Sequence, residues 1–187
     1  MTVLYFGASA LGLIAAAFCY RANAPYRGMI ENSLGPSMKV PERVFPFYDA
    51  EYLNNFIRVA GGGPTPLGKS ALSLYVQPVL LWIDVGFAVF CAGFAAFFWL
   101  GVLQLSWRHA WLEEVFRFFL TMALLYGLAD VAEDLWLVRL FSKKSPVNRL
   151  EGVVACFLTQ AKLMTIILSV VGGLVFQVLS VSFPKPK

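Results

Sequence analysis

Residues 74–105 read LYVQPVLLWIDVGFAVFCAGFAAFFWLGVLQL, an apolar run in which Asp84 is the one charged residue. A bilayer's hydrocarbon core, about 30 Å thick, is crossed by a helix of roughly 20 residues. In hydrocarbon a backbone has to satisfy its own hydrogen-bonding groups, which selects helix over open strand. The stretch therefore predicts a membrane-spanning helix with a carboxyl inside it.

Three further apolar segments, at 2–20, 116–140 and 152–183, have comparable length. Together with 74–105 they predict an all-α fold, an antiparallel four-helix transmembrane bundle forming a single membrane domain over 1–187. The segment 21–73 is left as a long first loop. Within it, YDAEYLNNFIRVA (48–60) places Tyr48, Tyr52, Phe56 and Val59 at helical spacing, which predicts a short amphipathic helix. The first segment has no basic region before it and no small-x-small cleavage site after it, so it reads as a retained anchor.

Composition agrees with this class. The 187 residues are 59% hydrophobic, 16% aromatic and 14% charged, and the mean hydropathy is +0.69. Soluble domains hold about 45–50% apolar and about 25% charged residues. The net charge of +4 comes from Lys and Arg concentrated in two loops, without a basic stripe interleaved with aromatics. Membrane lipids are thus the expected counterpart rather than nucleic acid. Arg21, Arg27, Lys39, Arg43, Arg58 and Lys69 fall in the first loop, and Arg139, Lys143, Lys144 and Arg149 in the third. Arg108, Arg117, Lys185 and Lys187 fall on the opposite side. The positive-inside rule then puts the first and third loops in the cytoplasm and both termini outside, with a bacterial inner membrane the default location and an organelle inner membrane the alternative.

The segment GPTPLGKS (63–70) fits the spacing of a phosphate-binding loop. Such a loop cradles phosphate with consecutive backbone N–H groups after a buried strand. Pro64 and Pro66 have no N–H to give, and an amphipathic helix precedes the segment. It reads as a linker into the second span, and no nucleotide is expected. The single histidine, His109, lies beside Trp107 and Trp111, as in an interfacial aromatic belt. No histidine-based metal site is expected, nor any cofactor. Cys19, Cys91 and Cys156 show no paired spacing and read as small packing residues.

What remains is the charge within the spans. Asp84 lies about ten residues into its helix from the first-loop end. Asp130 in YGLADVAEDLW (126–136) and Lys162 in FLTQAKLM (157–164) each lie about eleven residues in from the third-loop end, so all three sit roughly 15 Å deep. They can therefore meet near the midplane. Tyr126, Asp130, Glu133 and Asp134 follow i, i+4, i+7, i+8 spacing and form one acidic stripe. Thr159, Lys162, Ser169 and Gly173 share a face of the fourth span, and Gln77, Asp84, Cys91 and Ala95 a face of the second. A charge at the bilayer centre costs about 2.5–3.5 kcal/mol on the mildest scale. Lys162 is accordingly expected to pair with Asp130, with Glu133 or Asp84 competing. The carboxyls outnumber the lysine, so the surplus has to be protonated, reach Arg139, or hold a cation or a polar headgroup.

This order of residues, an Asp early in the second span, Asp-x-x-Glu-Asn/Asp in the third and Thr-x-x-Lys in the fourth, resembles a widespread group of small bacterial four-helix membrane proteins. The matching residues are Asp84, then Asp130, Glu133 and Asp134, then Thr159 and Lys162. The resemblance implies the fold and the polar site, and no particular reaction. Asp134 stands where the group's pattern has Asn. Two functional readings stay open. One is a non-catalytic membrane protein, an accessory, scaffold, or lipid- or partner-binding subunit or homo-oligomer, whose buried network fixes helix register. The other is proton- or cation-coupled passage of a small solute. A membrane enzyme using Glu133 as general base on a lipid ranks below both.

Overall fold

The computed structural model describes residues 1–36, 38–44, 47–105, 110–143 and 145–182. Trp107, Arg108 and His109, with Lys144, Phe183, Lys185 and Lys187, lie outside the described residues. The chain is all-α, with helices α1 (Thr2–Leu34), α2 (Ala50–Gly61), α3 (Ala71–Leu103), α4 (Ala110–Ser142) and α5 (Arg149–Ser182). The four longer ones are long and apolar enough to cross a membrane.

The first helix corrects the sequence reading, because it does not stop at Tyr20 and the loop expected over 21–73 begins only after Leu34. The polar residues that suggested a loop are compatible with helix, and Pro25 is accommodated inside it. The helix ends where Gly35 takes φ 72°, in the left-handed region that favours glycine, and its N–H bonds to Glu31 O at 3.1 Å. The extension carries Asn23 to the site described below.

Helix α2 starts at Asp49, whose carboxylate accepts the Tyr52 N–H at 2.8 Å. It buries Leu53, Phe56 and Ala60 against the bundle. Its apolar face is therefore covered by protein, and its exposed face is polar. Asn54 clamps it to the connection between α4 and α5, donating to Val147 O at 2.9 Å and accepting from Val147 N at 2.8 Å. The GPTPLGKS segment is a tight turn in which Thr65 N–H meets Lys69 O at 2.7 Å, and Ser70 caps α3 through Ser73 N–H at 3.1 Å. Helix α3 breaks at Gln77, whose φ of −144° and ψ of 115° are extended. Pro78 follows, and a residue before proline is pushed out of the helical region. Gln77 is therefore exposed at the break rather than on the inward face expected for it.

In the bundle α1 packs on α3, α3 on α4 and α4 on α5. Small residues allow the close approach: a Cβ on Gly127 would stand 2.5 Å from that of Ala92, and one on Gly12 3.0 Å from Phe94 N. Helices α3 and α5 pack little on each other. They meet through Phe176, whose ring lies 6.0 Å from Phe98 and 6.3 Å from Trp99, and otherwise stand apart as the walls of a cleft floored by α4. Along the bundle axis one apolar cluster, with Leu53, Phe56, Leu80 and Leu137, closes the first-loop end. An aromatic cluster around Trp99, Phe116 and Phe119 closes the other. The polar residues lie between the two.

Candidate functional site

Asp130, Glu133 and Asp134 project from the inner face of α4 and are 7%, 0% and 1% exposed. Lys162 of α5 lies opposite. Its Nζ is 2.9 Å from Asp130 Oδ1 and 2.5 Å from Glu133 Oε2, the latter an ion-pair contact without hydrogen-bond alignment. The pair expected with Asp130 is thus a fork that takes Glu133 as well. Glu133 Oε1 accepts from Thr159 Oγ1. With that proton committed, Tyr48 donates its hydroxyl to Thr159 Oγ1 at 2.9 Å. A loop tyrosine therefore ends a chain Tyr48–Thr159–Glu133–Lys162–Asp130 that ties the first loop to α5 and α4.

Asp84 makes no ion pair with Lys162; it accepts instead from Asn23 Nδ2 at 3.2 Å, on the helical extension of α1. Asp84, Tyr126, Asp130, Asp134 and Lys162 nonetheless line one half-open pocket of about 270 Å³, with Asn23, Glu42 and Arg43. The structure so brings the sequence-selected residues together, Glu133 and Thr159 lying behind the pocket wall. Arg139 takes no part. It is exposed, with its guanidinium 5.2 Å from the Trp136 ring centre. Asp134 is the unsatisfied member: neither of its carboxylate oxygens has a hydrogen-bond partner among the described residues. Such a group costs about 1–3 kcal/mol or more when buried.

Glu42, Asn23 and Tyr48 are the site residues that sequence reasoning missed. The turn Pro41–Arg43 dips into the bundle end and sets Glu42 between Asp84 and Tyr75. The Glu42 and Tyr75 side chains are neighbours, and Glu42 Oε1 and Tyr75 Oη are each buried without a hydrogen-bond partner among the described residues. Burial pushes the Glu42 carboxyl up to about 7, with the Lys162 charge opposing and Asp84 and Asp130 adding to the rise. Arg43, beside it, is paired with Glu31 at 2.6 Å.

A pH dependence follows. An unfolded chain releases the Glu42 proton near its ordinary value of 4.5, before the folded chain does near 7. Between these values the unfolded state binds fewer protons, so stability falls as pH rises and levels off above 7. Thermal unfolding in detergent across this window should show the decline, and Glu42→Gln should make it shallower. An unchanged slope would mean that Glu42 is not the group titrating.

A second cavity, also about 270 Å³, adjoins the first along the cleft. It shares Tyr126 and Ile166 with the polar pocket, and its walls are Phe94, Phe98, Ala123, Val170 and other apolar or small residues. Cys91, Ala95, Ser169 and Gly173, the small residues of the two inward faces, are what leave it open. Among the described residues no His, Cys, Asp and Glu group has the arrangement to hold a metal ion. Comparisons with protein-family models, with curated proteins and with solved structures find no match to this chain.

Proposed function

We propose that this chain is a multi-pass integral membrane protein of the bacterial inner membrane, allied to the small four-helix group that its polar pattern resembles. Its activity is non-catalytic binding in a charged pocket that opens toward the cytoplasmic first loop. The outward faces support a lipid setting: Leu11, Ile14, Phe18, Leu128, Phe157, Ile167 and Leu174 are exposed, and extended apolar surface of this kind marks contact with a membrane or a partner. The observation that carries the binding reading is Asp134, buried at the pocket wall with no hydrogen-bond partner among the described residues.

The polar lining is one-sided. A recess of about 40 Å³ walled by Arg27 and Glu31 shares Asn23, Glu42, Arg43 and Asp84 with the pocket. Beyond Tyr126 the lining turns apolar and ends against the aromatic cluster. Among the described residues the aromatic cluster stops the cleft at the end away from the first loop, which favours binding over passage. Glu133, held by Lys162 and Thr159 and fully buried, is poorly placed as a general base.

The test is flux. Purified protein in liposomes under a pH gradient should move no more protons or monovalent cations than empty liposomes do. A flux that disappears in Asp84→Asn would reverse the reading in favour of transport.

A further inference from the structure

We infer that the occupant of the pocket is a membrane phospholipid whose headgroup ends in a primary ammonium, with one alkyl chain lying in the apolar half of the α3–α5 cleft. This deepens the binding reading and rests on it. Two independent features, charge and shape, point to the same ligand, and the mouth of the pocket is consistent with it.

The first is charge. Glu42, Asp84, Asp130 and Asp134 line the pocket, with Arg43 and Lys162 as its cations. Lys162 is taken by Asp130 and Glu133, and Arg43 by Glu31. Among the described residues, Asp134 and one oxygen of Glu42 remain buried and unpartnered. A cation that donates hydrogen bonds would satisfy both and hold them ionised. A divalent metal ion is a poor candidate, because no suitable ligand group exists among the described residues. A primary ammonium suits, since it brings one positive charge and three N–H donors to carboxylates in a poorly solvated place.

The second is shape. The polar pocket continues into the apolar cavity through the shared wall of Tyr126 and Ile166, so the space is amphipathic along its length. Its sequence is a charged head region at the first-loop side, then a hydrocarbon-like region toward the opposite end. The gap between α3 and α5 lets the remainder of the lipid stay in the bilayer.

At the mouth, Arg43 and Arg27 stand at the first-loop side of the pocket and its recess. Both are half-exposed and share the single carboxylate of Glu31, at 2.6 and 3.1 Å, so the pair carries one positive charge beyond that acid for the phosphate next to an ammonium held by Asp134 and Glu42.

The experiment is a binding titration of the full chain in detergent with short-chain phospholipids, read by intact-complex mass spectrometry and thermal shift. The probes are phosphatidylethanolamine, phosphatidylcholine and phosphatidylglycerol, plus a long-chain primary amine without phosphate. Loss of charge-assisted hydrogen bonds should make phosphatidylcholine and phosphatidylglycerol weaker by roughly tenfold or more. Asp134→Asn should remove the preference for ethanolamine. Gly173→Leu, at a position where a Cβ meets nothing within 4 Å, should fill the tail cavity and weaken every lipid while leaving the preference intact.

Equal binding of ethanolamine and choline lipids, or an Asp134→Asn variant that keeps the preference, would overturn the inference while leaving the pocket a binding site. A long-chain amine that binds as tightly as the ethanolamine lipid would also overturn it, by assigning the site to the amine alone. If no probe binds the parent protein, the binding reading itself falls with it.

Discussion

Replacing Lys162 with Met should lower the unfolding free energy in detergent by about 3–5 kcal/mol, the cost of leaving buried carboxylates without their cation. Methionine keeps the length of the lysine stem and removes its charge, so lost packing contributes little. Lys162 holds Asp130 at 2.9 Å and Glu133 at 2.5 Å, and both acids are buried. The fork sharpens the test. Were Asp130 the sole partner, a joint Lys162→Met, Asp130→Leu change would restore most of the stability. With Glu133 also stranded, that double variant should recover part, and the triple variant with Glu133→Gln should recover most of it. Glutamine keeps an oxygen to accept from Thr159 Oγ1. Thermal unfolding of the four proteins measures the series. Full recovery in the double variant would remove Glu133 from the fork, and no recovery in any would remove the ion pair from the account of stability.

The same residues show what a sequence of this kind makes legible. Four apolar runs long enough to span are legible from length and composition alone, and the i, i+4, i+7, i+8 stripe from Tyr126 to Asp134 marks the inner face of α4 because polar residues in such runs turn away from the apolar exterior. Depth counting put Asp84, Asp130 and Lys162 at one level, and they do line one pocket. Where charge was dense the reading failed. The run of apolar residues ends at Tyr20, before Arg21, yet Ser9, Gly12, Ala16, Cys19 and Asn23 keep a helical period across it, and Ser9, Ala16 and Ile30 are buried on that continuing face. That period was the available signal for Asn23. Pro78 likewise announced the break that turns Gln77 outward. Glu42 and Tyr48 carried no such mark. Their positions depend on how a loop folds back over a bundle end, which periodicity does not encode.

Replacing Asp134 with Leu should raise the stability of the ligand-free protein by about 1–3 kcal/mol, the desolvation cost of a buried polar group that nothing satisfies. The sign separates two accounts of the polar layer. In a network that exists to fix helix register, each member has a partner, and removing one strands another. Asp130, Glu133 and Lys162 behave that way. Asp134 strands nothing when removed, because neither oxygen bonds to any described residue, and the adjoining pocket of about 270 Å³ has room for the larger side chain. A fold that keeps such a group gives up stability for an interaction made elsewhere, as binding sites commonly do. The measurement is thermal unfolding of Asp134→Leu against the parent, each delipidated, then with ethanolamine phospholipid restored. The variant should be the more stable of the two without lipid and should lose the stabilisation that lipid gives the parent. A variant less stable than the delipidated parent would give Asp134 a partner within the fold and make the whole layer structural.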